Sequence, residues 1–483
     1  MDHPHQVQQE WFHKLLAAAE RTEWGKKYGY ASIKSHKEFA ERVPVSDYES
    51  FKTHIARVRK GEQNILWPSR INWFARSSGT TGDKSKFIPV SRESLRDCHY
   101  KGARDLVSLY CNHHPNTKLF TGKGLIMGGS HHMNKVNHKS YYEGDLSAVL
   151  IENLPFFGDF FRVPGRSIAL MSEWETKIQK IAESTIDKNV TSLSGVPSWT
   201  LLLLKRILEM TGKPSVREVW PDLEVFFHGG VNFLPYKAQF DRIIPPGHIN
   251  YVETYNASEG FFGMQDLPGN DSMLLMLDYG IFYEFCPPDQ LGKEHPKVKT
   301  LDEVAEGENY AMVISTNAGL WRYLIGDTII FTSLDPYRIQ ISGRTKSFIN
   351  AVGEELIVDN AEKAMSIACQ RSHAVINEYT AAPVFFSDSE NAAHEWLIEF
   401  EKPPDDMKEF CTLFDEALKS LNSDYEAKRY LDMVLRIPII RTMPPGTFYK
   451  WMKQKGKLGG QHKVPRLANN RMYVEEILQI LEE

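Results

Sequence analysis

Arg76-Ser77-Ser78-Gly79-Thr80-Thr81-Gly82-Asp83-Lys84-Ser85-Lys86 lies between two strand-like runs, residues 71–75 and 87–90. Glycines, hydroxyl side chains and lysines crowd this segment. Its backbone N–H groups, hydroxyls and ammonium groups can all face a polyphosphate. It is not a Walker loop, and no Walker loop occurs elsewhere. The Gly-Lys pairs at Gly25-Lys26, Gly122-Lys123, Gly212-Lys213, Gly292-Lys293 and Gly456-Lys457 are followed by Lys, Gly, Pro, Glu and Leu, where Ser or Thr is required. A plain hairpin turn draws on the same Gly, Ser and Asp, so the composition alone leaves both readings open.

Outward from this loop, short β-branched or aromatic runs alternate with amphipathic helical stretches, which favours an α/β fold. Strands are expected at 71–75, 87–90, 119–127, 190–193, 223–228 and 249–255, with helices at 91–110, 172–186, 197–210 and 235–243. From Met273 the strands become closely spaced, at 273–277, 282–285, 311–315, 321–324, 328–332 and 338–341. These read as antiparallel and barrel-like. A further unit then begins, with helices at 359–369, 407–421 and 472–481 around strands at 374–379, 395–400 and 433–439. The expected division is a large N-terminal domain, residues 1–342, and a smaller α+β C-terminal domain, residues 343–483.

Composition narrows the function classes. The chain has 483 residues, with 57 Lys and Arg against 62 Asp and Glu, a formal net charge of −5. Duplex nucleic acid and anionic membranes reward a basic face, so neither is the expected partner, and small-molecule chemistry becomes the default. Cys98, Cys111, Cys286, Cys369 and Cys411 are scattered without a CxxC pair, which suits reduced thiols in a cytoplasmic protein. The longest strongly apolar stretch, residues 199–204, falls far short of the ~20 residues that span a bilayer.

Other catalytic templates are absent. The chain has no Gly-x-Ser-x-Gly elbow and no His-Glu-x-x-His, and Gly122-Lys123-Gly124 meets Met127 where a dinucleotide loop needs glycine. The pairs His113-His114 and His131-His132 read as polar loop residues, since neighbours on a strand point to opposite faces.

Ser77-Ser78-Gly79-Thr80-Thr81-Gly82 resembles the phosphate loop of the adenylate-forming superfamily. Tyr255-Asn256-Ala257-Ser258-Glu259-Gly260-Phe261-Phe262-Gly263 and Trp321-Arg322-Tyr323-Leu324-Ile325-Gly326-Asp327 resemble two segments of one branch, the plant auxin-responsive (Gretchen Hagen) acyl acid amido synthetases. Pro445-Gly446-Thr447-Phe448 and Gly460-Gln461-His462-Lys463-Val464-Pro465-Arg466 are similar to that family's C-terminal pattern. These motifs stand in the family's order over roughly residues 5–475. Ala257 replaces the first serine of a pair, and Leu324-Ile325 replaces the usual residues before Gly326-Asp327.

The resemblance implies an adenylate-forming fold with a mobile C-terminal domain, and an ATP- and Mg²⁺-dependent ligase that adenylates a small carboxylic acid and conjugates it to an amino acid or other amine. Under it, Ser78, Gly79, Thr80, Thr81 and Gly82 hold phosphates, with Lys84 and Lys86 adding charge. Tyr255 stacks on adenine, with Gly229 and Gly230 leaving room for its other face, and Asn256 and Ser258 belong to the same nucleotide site. Glu259 takes Mg²⁺ and is counted with Lys463 as catalytic. Asp327 and Arg344 reach the ribose, Lys346 is the hinge, and Lys463 neutralises the α-phosphate. No obligate protein partner is implied. Two rivals remain at this point: an acyl-CoA ligase, which shares the first step, and a nucleotide-binding regulatory protein without turnover.

Overall fold

The computed structural model describes residues 2–78, 85–129, 131–136, 139–230, 233–344, 348–386, 391–455 and 464–482. The N-terminal half carries β1 (Trp73–Ser78), β2 (Ser85–Val90), β3 (Lys123–Ile126), β4 (His131–Val136), β5 (Lys139–Gly144), β6 (Arg162–Val163), β7 (Val190–Gly195), β8 (Val225–Gly229) and β9 (Asn250–Ala257). After them come β10 (Gly260–Met264), β11 (Met273–Leu275), β12 (Ile281–Cys286), β13 (Asn309–Thr316), β14 (Tyr323–Leu334) and β15 (Tyr337–Arg344). The C-terminal part adds β16 (Phe348–Ile349), β17 (Leu356–Ile357), β18 (Val375–Val384), β19 (Ala393–Lys402) and β20 (Ile439–Met443).

Among the described residues, 11 strands form one sheet in the order β12-β13-β14-β15-β11-β10-β9-β8-β7-β3-β6. From β9 to β6 neighbouring strands are parallel. Helices Pro197–Thr211 and Leu234–Ile243 make the crossovers on either side of β8. β7 and β8 are buried along most of their length, as strands covered on both faces must be. From β10 to β12 every pairing is antiparallel. The expected barrel-like subdomain therefore differs from the structure in one respect: its strands are antiparallel, but they extend the parallel sheet. The reason is local, because β9 folds straight back as β10 through Ser258 and Glu259, with Ala257 opposite Gly260. A separate four-stranded sheet runs β2-β1-β5-β4.

Helix Pro4–Ala19 starts with proline at its first turn, where no N–H partner is lost, and buries Gln8, Phe12, Leu15, Leu16 and Ala19 on one face. Gln8 guards the sheet edge at β12. Its amide nitrogen donates to Leu277 O at 2.7 Å and Ile281 O at 3.0 Å, and its oxygen accepts from Tyr283 N at 2.9 Å.

The same N-terminal segment is fastened by charge. Arg322, in the left-handed region at φ 44°, is buried with Glu284 and donates to its Oε1 and Oε2 from Nε at 3.0 Å. It also donates to Ala40 O at 3.1 Å and Val43 O at 2.6 Å, while His36 contacts Glu284 at 2.8 Å. Burial alone would raise the Glu284 carboxyl, but Arg322 and His36 hold it below the ordinary glutamate value of 4.5.

Four expected strands are redrawn. The run 119–127 divides into the short helix Leu119–Thr121 and β3, with Gly122 between them. The two strands expected at 321–324 and 328–332 are one strand, β14, whose register shifts around Gly326. The strand expected at 433–439 instead begins at Ile439, because Leu431 and Asp432 turn the chain at positive φ and Pro438 has no N–H to donate.

The described chain resolves into two compact units, the larger drawn from Met1–Ser77, Phe87–Gly230 and Asp241–Thr345, the smaller mainly Lys346–Glu483. In the smaller unit, β18-β19-β20 form a sheet, antiparallel then parallel. It buries a polar cluster: His394 Nε2 lies 2.7 Å from Glu354 Oε1, and Glu354 also accepts the N–H groups of Ala351 and Val352 at 2.5 and 2.8 Å. No helix among the described residues is long and apolar enough to cross a membrane.

Glu284→Gln is expected to lower unfolding free energy by about 3–5 kcal/mol, measured by urea titration, because it leaves Arg322 buried without its counter-ion. Since the Glu284 carboxyl is depressed in the fold, its contribution is present above pH 4.5 and drains away as pH falls through the lower folded value. The variant should lose that part of the acid dependence.

Candidate active site

Parallel α/β sheets collect ligands at the carboxyl ends of their strands. Here β8 ends at Gly229, which pairs with Thr254, so β9 runs past it through Tyr255, Asn256 and Ala257, paired there with β10 on its other side. The approach needs glycine: a Cβ on Gly229 would sit 2.3 Å from Thr254 O. Gly230 follows at φ 82°. This length of β9 therefore lies just beyond the carboxyl end of β8, where such sheets take their ligands.

Tyr255 is 5% exposed and sets its ring edge against Phe262, centroids 4.9 Å apart. Its Oη donates to Asp327 Oδ2 at 2.5 Å, joining two motifs 72 residues apart in sequence. Asp327 is itself buried on β14, directly after Gly326 at φ 104°, and stands opposite Arg344 of β15 in register. Gly326 is required there, since its backbone lies where other residues are strained.

Glu259 occupies the two-residue turn between β9 and β10, a place where a glutamate is ordinarily solvated. It is only 9% exposed. Ser258 beside it is half-buried. Among the described residues no group of three or more His, Cys, Asp or Glu side chains could by itself hold a metal ion. One buried carboxylate fits a Mg²⁺ that arrives on phosphates and keeps its waters, since that ion is commonly held by one or two carboxylates plus substrate oxygen.

Asn256 points to the opposite face of β9 from Tyr255, where its Oδ1 lies 3.1 Å from His99 Nδ1. His99 ends a π-helical turn, Leu95–His99, that leads into helix Tyr100–His113. Burial drives its pKa down to about 4, with the Asn256 contact opposing only in part. The same helix is pinned to β10, where Phe261 N donates to Cys98 Sγ at 3.1 Å. On β8, burial takes His228 down to about 3. Opposite it, burial and then the charge of Asp271 lift the Glu253 carboxyl to about 7.

The structure thus brings Tyr255 and Asp327 into direct contact and pairs Gly229 with Thr254, the residue before Tyr255, with Ser258 and Glu259 in the turn after the same strand. Asn256 is turned toward His99. Of the phosphate loop, Ser78 is described as the last backbone position of β1, and Gly79, Thr80, Thr81, Gly82 and Lys84 lie outside the described residues, as do Lys346 and Lys463. Lys86 lies on β2, half-buried. Arg344 is described as the last backbone position of β15. Sequence reasoning passed over His99, Glu253 and Tyr323. Tyr323 stood inside a quoted motif, and its burial was the missing signal.

Residues 1–249 match the profile described as the GH3 family N-terminal domain, residues 274–344 the GH3 family central domain, and residues 359–472 the GH3 family C-terminal domain. Indole-3-acetic acid-amido synthetase GH3.4 of Arabidopsis thaliana is 24% identical over 552 residues, taking in 96% of this chain and 89% of the relative. The solved GH3.15 acyl acid amido synthetase superposes with a TM-score of 0.61 at 20% identity, over 99% of this chain and 93% of that one. A 2-hydroxyisobutyryl-CoA ligase in complex with 2-HIB-AMP and CoA superposes with a TM-score of 0.56 at 14% identity, over 99% and 91%. Both structural likenesses concern the fold, a mixed α/β sheet domain with a smaller C-terminal domain.

Because burial keeps His228 neutral in the fold, the unfolded chain takes up that proton first as pH falls below 6.5. Stability from this site is full above that value and declines as pH drops toward the folded one. His228→Phe should flatten the fall in Tm between about pH 7 and pH 5, measured by calorimetry.

Proposed function

Because the chain belongs to the GH3 family, we propose that it is an ATP-dependent acyl acid amido synthetase, which adenylates a small carboxylic acid and transfers the acyl group to an amino acid or other amine. The observation that carries this reading is the Tyr255–Asp327 hydrogen bond of 2.5 Å at the carboxyl edge of the sheet, since it unites two family motifs at one place. The five cysteines are free thiols, buried or half-buried, which suits a reducing cytoplasm.

In the first step a carboxylate oxygen of the acid attacks the α-phosphorus of ATP. A P–O bond forms, and the bond to pyrophosphate breaks. The protein supplies charge neutralisation and alignment in place of a nucleophile. Asp327 has lone pairs to spare after accepting from Tyr255, so it can also accept from the ribose hydroxyls, with Arg344 beside it. Tyr255 takes one face of adenine, and Gly229 and Gly230 leave the other clear. Ser78, Gly79, Thr80, Thr81 and Gly82 cradle the outer phosphates. Glu259 holds the Mg²⁺, whose chemistry is to draw charge from the phosphate oxygens. Lys463 brings its ammonium to the α-phosphate.

In the second step the amine attacks the acyl carbon. The C–N bond forms, the C–O bond to phosphate breaks, and AMP leaves. Pre-assembling amine and adenylate contributes on the order of 7–11 kcal/mol to such a step. A hinge at Lys346 between domains 1–342 and 343–483 would exchange one half-reaction for the other.

The test is acid-dependent pyrophosphate exchange over a panel of aromatic and aliphatic acids, indole-3-acetate among them, followed by AMP release with amino acids or with CoA as acceptor. Exchange with one or more acids, and AMP release raised by amino acids, is the expected result. Release raised by CoA alone makes the protein an acyl-CoA ligase, and no exchange with any acid makes it a nucleotide-binding protein without turnover. Lys463→Ala should slow acyl-adenylate formation by about 10²–10³-fold yet spare amide synthesis from preformed acyl-adenylate. Equal loss in both would remove Lys463 from the first step.

A further inference from the structure

A cavity of about 280 Å³ lies between the end of helix Tyr48–Arg59, the chain that leads into β1, and Tyr141 of β5. Cavities that take small organic ligands begin at ~300 Å³, so this one is near the lower bound. All its lining residues belong to the larger unit. It sits at the start of β1, whose other end leads into the phosphate-loop motif, and none of the residues assigned to the nucleotide lines it.

Its charge is positive. No carboxylate lines the cavity, and two acids in the neighbouring sequence are spent on other bonds: Glu143 accepts from Arg59 Nη2 at 2.7 Å, and Glu62 from Arg57 Nε at 2.9 Å. Arg59 is thereby neutralised, with its guanidinium 3.5 Å from the centre of the Phe87 ring, yet its buried Nε has no partner among the described residues. Arg70 is exposed. Its Nε donates to Asn72 Oδ1 at 3.0 Å, and among the described residues it has no acidic partner.

The neutral groups lean the same way. A backbone N–H can only donate, so Gln63 turns its amide oxygen to Ile71 N at 3.0 Å and keeps its NH₂. A guanidinium likewise only donates, so Asn72 gives its oxygen to Arg70 and keeps its NH₂. Tyr141 Oη accepts from Arg59 Nη2 at 3.3 Å and retains its proton. Among the described residues the acceptors of these side chains are therefore met from within, while donors are left over on Arg70, Gln63, Asn72 and Tyr141. Val58 and Ile71, both buried, add an apolar wall.

We propose that this cavity binds a small organic anion, which presents a carboxylate or phosphate to Arg70 and to the amides of Gln63 and Asn72, and lays its apolar part on Val58 and Ile71. Surplus donors beside one uncompensated cation select a ligand of negatively charged oxygens, and the planar fork of arginine suits either group. The site is separate from the nucleotide site and does not depend on the ATP-dependent reading.

The full chain is titrated calorimetrically with sodium phosphate and, separately, with sodium succinate, alongside Arg70→Gln and Lys60→Gln. Lys60 is an exposed cation next to Arg59 that does not line the cavity, so it controls for diffuse charge. Phosphate, succinate or both should bind the natural protein with a millimolar or tighter Kd, and saturating Mg·ATP should leave that binding in place. Arg70→Gln should weaken it about 10-fold or more, while Lys60→Gln changes it by less than about twofold. Binding of phosphate alone assigns the site to phosphate-bearing ligands, and binding of succinate alone to carboxylates. Thermal unfolding checks that Arg70→Gln is folded; if it is not, Asn72→Asp, which hands Arg70 a counter-ion inside the cavity, should weaken binding to the same degree. Failure of both anions to bind overturns the inference. So does binding that Arg70→Gln leaves unchanged, that Lys60→Gln weakens equally, or that Mg·ATP displaces.

Discussion

The buried guanidinium of Arg322 is the constraint on which the rest of the larger unit is arranged. It meets Glu284 on β12, reaches the carbonyls of Ala40 and Val43, and does so from a left-handed backbone that few residues adopt. A charge taken out of water tolerates only a well-formed set of partners. Three distant pieces of chain are therefore brought to fixed places: the N-terminal helices, the edge of the large sheet, and the start of β14. Tyr323, Gly326 and Asp327 follow within five residues, so the same clamp aims the acidic end of the site.

The second organising feature is the reversal at Ser258 and Glu259. Up to that turn the sheet is parallel and offers the carboxyl ends of its strands as a crevice; beyond it the strands run antiparallel and carry Asp327 back beside Tyr255. In the proposed nucleotide site, the carboxylate assigned to the ribose and the ring assigned to adenine come from opposite sides of the change in direction. Glu259 sits in the turn itself, and its burial there distinguishes it from an ordinary loop glutamate.

The smaller unit follows similar physics on a smaller scale. Glu354 would be costly to bury alone, but His394 and two backbone N–H groups surround it and hold its carboxyl low against the effect of burial. Arg429 is likewise buried against Asp415 at 2.6 Å. These pairs order the loops around a small three-stranded sheet whose apolar core would not by itself specify them.

Much of the architecture was legible in the chain. Alternating β-branched runs and helical periods marked the α/β class, Pro197 marked a helix start, and the order of motifs marked the family, because each of these signals is written in residues close together. Where the reading slipped, the cause was a local break that composition conceals, such as the turn at Leu431 and Asp432 ahead of Pro438 or the shifted register within β14. The candidate residues Tyr255, Glu259 and Asp327 were visible only through the resemblance of their segments to the family's motifs. What only the tertiary structure decided was which groups meet: that Tyr255 donates to Asp327, that Asn256 faces His99, and that Arg322 belongs to the scaffold. Those outcomes depend on which groups share a dry space after residues tens or hundreds of positions apart have met, and hydrogen bonding and burial are properties of that meeting.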